Sequence, residues 1–140
     1  MLKLFSSIIC VFLCLSCNHK DNKLLSIKFS ADRATILISN IESAALLQLK
    51  NNIKTDTMYQ KLVAVLETPA DDDSVSMERE WPGKLTMIAD TVVFIPDRPF
   101  LKGGTYLVET KLNMSFADIE QVIKGKMRTT MNFQQQLLKR

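Results

Sequence analysis

Two short runs joined by only two residues constrain this chain more than any other feature. In residues 84–88, Lys84 and Thr86 alternate with Leu85 and Met87; in residues 91–95, Val92 and Phe94 alternate with Val93 and Ile95. Ala89-Asp90 is all that separates them. A period of two sends successive side chains to opposite faces of a strand, and a two-residue link has hairpin length. Pro96-Asp97-Arg98-Pro99 follows and is expected to break the pairing, because proline has no N–H to give to a ladder.

The same pattern recurs along the chain. Leu25, Ile27 and Phe29 alternate with Ser26, Lys28 and Ser30, and after Ala31-Asp32-Arg33 comes the apolar run Ile36-Leu37-Ile38. These predict a second hairpin over residues 24–30 and 34–39, its first strand buried on one face and its second on both. Residues 62–66 form a β-rich run ended by Thr68-Pro69, and Trp81-Pro82-Gly83 reads as a turn. Over residues 105–112, Tyr106, Val108 and Thr110 alternate with Leu107, Glu109 and Lys111. A last strand is expected from Met127, Thr129, Met131 and Phe133 on one side, with Arg128, Thr130, Asn132 and Gln134 on the other.

Two segments break this rhythm. Residues 42–51 are rich in alanine and leucine and stop at Asn51-Asn52, which predicts a short helix, with an apolar strand as the alternative. Ser115 can cap a second helix, Asp118 suits its positive end, and Gly125 its stop. Phe116, Ile119, Val122 and Ile123 share one face of that helix, which either covers an end of its own domain or docks a partner. The expected fold is mainly β: a β-sandwich of six or seven short strands with one or two short helices.

The amino terminus sets the expected address. Lys3 precedes an apolar stretch over residues 4–15, then Ser16-Cys17, then polar Asn18-His19-Lys20-Asp21. A basic start, an apolar core and a small residue before the cut make a secretory signal, and the run is too short to span a bilayer. Cys17 follows the small Ser16, whereas Cys10 follows Ile9 and Cys14 follows Leu13. Leu13-Cys14-Leu15-Ser16-Cys17 resembles the lipobox of bacterial lipoproteins of the Bacteroidetes type, with Cys14 where leucine is commonest. The resemblance implies a signal over residues 1–16, a diacylglycerol and often an N-acyl chain such as palmitate on Cys17, and a location in the cell envelope. It points to the outer membrane, on its periplasmic or surface face. Residues 17–23 would be a tether, Lys20-Asp21 being either a partial surface-export signal or plain linker, and residues 24–140 the domain. Two or more acyl chains anchor stably where one is marginal. Cleavage before Cys17 also discards Cys10 and Cys14, leaving the domain no thiol for a disulfide.

A second likeness lies further on. Thr91-Val92-Val93-Phe94-Ile95-Pro96, then Pro99-Phe100-Leu101, Gly104, Tyr106 and Val108, resembles the second half of bacterial immunoglobulin-like domains. The resemblance implies an Ig-like sandwich. In many sandwiches a tyrosine opening a strand turns its hydroxyl back onto upstream backbone and closes the corner between sheets. Tyr106 is placed for that structural corner, or else packs its ring at a sheet edge.

Chemistry is harder to find. With 18 basic against 15 acidic residues and no dense Lys/Arg track, the chain lacks the charge signature of a nucleic-acid binder. The single histidine, His19, lies in the tether, so neither a Ser-His-Asp triad nor the usual zinc or copper set is expected, and no metal or other cofactor is assigned. Asp71-Asp72-Asp73 reads as a solvated acidic loop or a weak calcium site, since calcium takes about six to eight oxygens. Asp56, Glu78, Glu80 and Asp90 show no spacing that selects an acid–base pair. The expectation is a non-catalytic binding or assembly module, held to a membrane by lipid and working with an envelope protein. The alternative is a small carrier or sensor that holds an apolar ligand between sheet and helix.

Overall fold

The computed structural model describes residues 24–69, 77–112 and 134–140. The expected signal, Cys17, the tether, the acidic loop with Asp71–Asp73, the second helix and the run from Met127 to Phe133 lie outside the described residues. In chain order the elements are β1 (Ser26–Phe29), β2 (Ile36–Ser39), α1 (Ser43–Asn52), a 3₁₀ turn (Tyr59–Leu62), β3 (Val63–Thr68) and β4 (Arg79–Glu80). They continue with β5 (Gly83–Ile88), β6 (Thr91–Pro96), β7 (Thr105–Thr110) and β8 (Gln134–Lys139). Two antiparallel sheets of four strands result, one ordered β1-β2-β6-β5 and the other β4-β3-β7-β8. The fold is a β-sandwich with a short helix.

The period-two residues make the core between the sheets. Leu25 and Ile27, Ile36 and Ile38, Leu85, and Val92 and Phe94 point inward from the first sheet. Val63, Val65, Tyr106 and Val108 meet them from the second. Outward positions keep water on one side: Lys28, Lys84 and Ile95 are exposed. Leu37, expected to be buried on the far face of β2, is half-buried. The β5–β6 hairpin closes through Ala89-Asp90 with Ile88 opposite Thr91. Strand β6 runs on through Pro96, opposite Gly83, past the last residue that pairs with β2. A ladder donor is therefore needed on one side only, which proline at a strand end tolerates.

Residues 43–52 form the helix rather than the alternative strand. Ala45, Leu49 and Ile53 recur every four residues and are buried together on one face, and Ile53 N–H closes the last turn on Leu49 O at 2.9 Å. The helix fills the connection from β2 in one sheet to β3 in the other. Its Lys50 meets Asp90 of the hairpin turn at 2.7 Å, an exposed pair that contributes at most about 1 kcal/mol.

Two glutamine amides join elements at this end of the sandwich. Gln60 Nε2 donates to Ile53 O at 2.8 Å and Leu85 O at 3.1 Å, while its Oε1 accepts from Leu85 N–H at 2.7 Å. A side chain thus stands in for a neighbouring strand on the open edge of β5, one way to satisfy a free edge. Gln134 does the same for Leu25, accepting from its N–H at 3.0 Å and donating to its carbonyl at 2.8 Å. The chain ahead of β1 is thereby tied to β8 of the opposite sheet.

Ala89 adopts φ +51° in the hairpin turn, a left-handed conformation that costs a non-glycine residue about 1–2 kcal/mol. Part of that cost is offset by alanine's smaller freedom in the unfolded chain. Ala89→Gly is expected to raise stability by about 0.5–1 kcal/mol, read as a higher urea midpoint at unchanged slope.

Candidate functional site

The end of the sandwich opposite α1 is built around one crossing of the chain. Residues 97–104 pass from β6 in the first sheet to β7 in the second. Tyr106, the second residue of β7, is fully buried, and its hydroxyl accepts a hydrogen bond from the Leu101 N–H at 2.7 Å. Gly103 takes φ +76°, and a Cβ on Gly104 would stand 3.0 Å from the Tyr106 hydroxyl and 3.1 Å from Leu101 O. The glycine pair allows the loop to fold onto the ring. Burial pushes the Tyr106 phenol above its ordinary value; the Leu101 bond pulls the other way, and the Glu67 carboxylate adds to the rise.

Aromatic rings surround this corner. Phe100 meets Tyr106 edge-on at 4.7 Å and Phe29 at 5.1 Å; Trp81 meets Tyr106 at 5.2 Å and stacks on Phe100 at 6.1 Å. The indole is held at both ends, its backbone N–H on Val65 O at 2.8 Å and Nε1–H on Arg98 O at 3.2 Å. Expected as a turn, Trp81-Pro82 is the link by which the chain leaves β4 in one sheet and starts β5 in the other.

Outside the rings lies an open groove of about 750 Å³. Arg79, Arg98, Lys102 and Arg140 line it against one side-chain carboxylate, Glu67. The Arg98 guanidinium lies 3.9 Å from the centre of the Trp81 ring, and a guanidinium over an indole face is held by the ring's quadrupole. Arg140 donates from Nη1 to Phe100 O, and its own backbone N–H bonds Gly104 O at 3.0 Å. None of the four cations forms an ion pair with a described carboxylate. Beside them, Met77 is 90% exposed and Leu101 53%. Positive charge next to exposed apolar surface can hold an anion that also carries an apolar part.

Among the residues weighed for chemistry, Tyr106 stands at the corner just described. Cys17, His19 and Asp71–Asp73 lie outside the described residues. Of the four scattered acids, Asp90 meets Lys50, Asp56 caps the turn before Tyr59 by accepting from Met58 N–H at 2.9 Å, and Glu80 lies on β4 with Glu78 just ahead of it, in the opposite sheet from Asp90's turn. The groove's cations form no linear basic run, because β4, the β6–β7 crossing and the end of β8 each contribute separately. The available signal is an arginine beside each aromatic turn: Arg79 two residues before Trp81, and Arg98 two before Phe100.

Comparison with protein families, with curated proteins and with solved structures finds no match for this chain.

Tyr106→Phe leaves the Leu101 N–H without its acceptor and is expected to cost about 1–3 kcal/mol in chemical denaturation. The phenol titrates higher folded than unfolded, so the folded state holds its proton longer. The contribution of Tyr106 is therefore intact below about pH 10 and is lost as pH rises through the folded value. Stability measured upward from pH 9 is expected to fall less steeply in Tyr106→Phe than in the wild type.

Proposed function

We propose that this chain is an envelope lipoprotein, held by lipid on Cys17 and a tether over residues 17–23, whose sandwich is a non-catalytic binding or assembly module. The observation that carries this reading is where the groove lies relative to the start of the domain. Leu25 is bound by Gln134 at the end where β7 finishes and β8 starts. The groove lies at the other end, by Thr68 and Leu101. Strands of six residues at about 3.3 Å each separate them by roughly 20 Å. A chain anchored ahead of residue 24 would direct the groove away from its own membrane, toward a partner.

The immunoglobulin-like part of the reading draws on strand order and on the corner. β1-β2-β6-β5 facing β4-β3-β7-β8 corresponds to the A-B-E-D and C′-C-F-G arrangement of such sandwiches. In that correspondence β7 is strand F, whose opening tyrosine bonds backbone a few residues upstream, as Tyr106 does with Leu101. In that correspondence the second cysteine of the usual inter-sheet disulfide, two residues after the tyrosine, is replaced by the buried Val108, and the three cysteines of the chain all precede residue 18.

The anchor is tested by detergent phase partition and palmitate labelling of the chain expressed in a bacterial envelope. Wild type is expected in the detergent phase and labelled; Cys17→Ala is expected to be unlabelled and to enter the aqueous phase. An unlabelled wild-type chain in the aqueous phase would refute the reading.

A further inference from the structure

We infer that the groove at the Tyr106 end binds an acidic peptide segment, an extended stretch of a partner protein that carries carboxylates beside apolar side chains. This deepens the binding-module reading and, in its choice of partner over lipid, rests on it.

Charge gives the first argument. Arg79, Arg98, Lys102 and Arg140 face a single side-chain carboxylate, Glu67, and none is neutralised by an ion pair with a described residue. Four cations gathered around one side-chain carboxylate among the described residues repel one another, and an anion in the groove relieves that repulsion. Arginine is also the side chain best shaped for carboxylates, because its fork of N–H groups matches two oxygens.

Preorganisation gives the second. Trp81 holds the Arg98 guanidinium by its face, at 3.9 Å, and no described residue accepts from its N–H groups. Arg140 is fixed through Phe100 O, and the chain around it by Gly103 N–H to Arg140 O and Arg140 N–H to Gly104 O, both 3.0 Å. Side chains already ordered lose less entropy when a ligand arrives, which leaves more of each contact as affinity.

The third argument separates a peptide from a simple ion. Met77 and Leu101 expose large apolar surfaces in the same groove. Inorganic phosphate would leave these wet, whereas a segment alternating acidic and apolar residues covers both kinds of surface. The groove is open and about 750 Å³, at the upper part of the range for ligand sites, as suits a segment lying along it. Headgroups of the anchoring leaflet are disfavoured by position, since the groove lies at the end away from Leu25.

The test uses the full chain in a nonionic detergent. Trp81 is the chain's only tryptophan, so its emission reports on the groove directly. The probe is a tryptophan-free peptide of about ten residues alternating glutamate and leucine, in low salt, where Coulomb attraction is least screened. A saturable emission change is expected, weakened about tenfold or more by Arg98→Ala or Arg79→Ala, each a loss of roughly 1.4 kcal/mol. Lys50→Ala, at the far end of the sandwich, is expected to bind as wild type does, and the matching glutamine–leucine peptide to bind at least tenfold more weakly.

The inference is overturned by no saturable change, by equal binding of the glutamine peptide, or by an equal loss in Lys50→Ala. It is also overturned if inorganic phosphate or anionic phosphatidylglycerol vesicles bind as tightly as the acidic peptide. Palmitate labelling of the same wild-type sample separates this inference from the anchor. A wild-type chain that takes up no label yet binds the peptide sinks only the anchor, and a labelled chain that fails to bind sinks only the groove.

Discussion

The hydrogen bond from the Leu101 amide to the Tyr106 hydroxyl, 2.7 Å long and set among four other rings, holds the rest of the molecule in place. The domain after residue 23 contains no cysteine, so no covalent staple can join its sheets. A sandwich without one depends on its core and on its sheet-crossing connections. Here the decisive connection is residues 97–104. The Tyr106 hydroxyl fixes its middle, Phe100 plugs it into the core, and Trp81 closes over both. Aromatic pairs in such geometry contribute about 0.5–1.5 kcal/mol each beyond the area they bury. They also build the floor on which Arg98 lies, so the forces that close the sandwich shape the groove outside it.

The two ends of the sandwich are held by different means. At the groove end, rings pack and one buried hydroxyl satisfies one amide. At the other end, side-chain amides do the work of strands: Gln60 completes the edge of β5, and Gln134 joins Leu25 to the opposite sheet. The helix adds its buried stripe between these contacts. This division leaves the aromatic end free to carry exposed charge, because its stability comes from beneath the surface.

Much of the fold is legible in the residues. The period-two runs mark β1, β5, β6 and β7, the apolar run Ile36-Leu37-Ile38 marks β2, and Ala89-Asp90 marks the hairpin to the residue. The pattern fails where side chains say little about their backbone. Residues 134–139, Gln-Gln-Gln-Leu-Leu-Lys, are helix formers by propensity, yet form β8 because all six find register partners on β7. Arg79–Glu80 is too short to show a period and becomes β4 only through pairing with Leu66 and Glu67. The strands number eight among the described residues, against six or seven expected. The groove was the least legible part, since its cations are distant in sequence and meet only through the register of β3, β4 and β7 and the return of β8 to Gly104.

Hydrogen exchange at the Leu101 amide tests the central role of this corner most directly. If the corner holds the sandwich closed, that amide opens only when the whole domain unfolds. Its exchange free energy should then equal the global stability and match amides at the centre of β7, such as Val108. Exchange at Leu101 as fast as in an exposed loop, while Val108 stays protected, would show that the crossing opens locally and contradict the account.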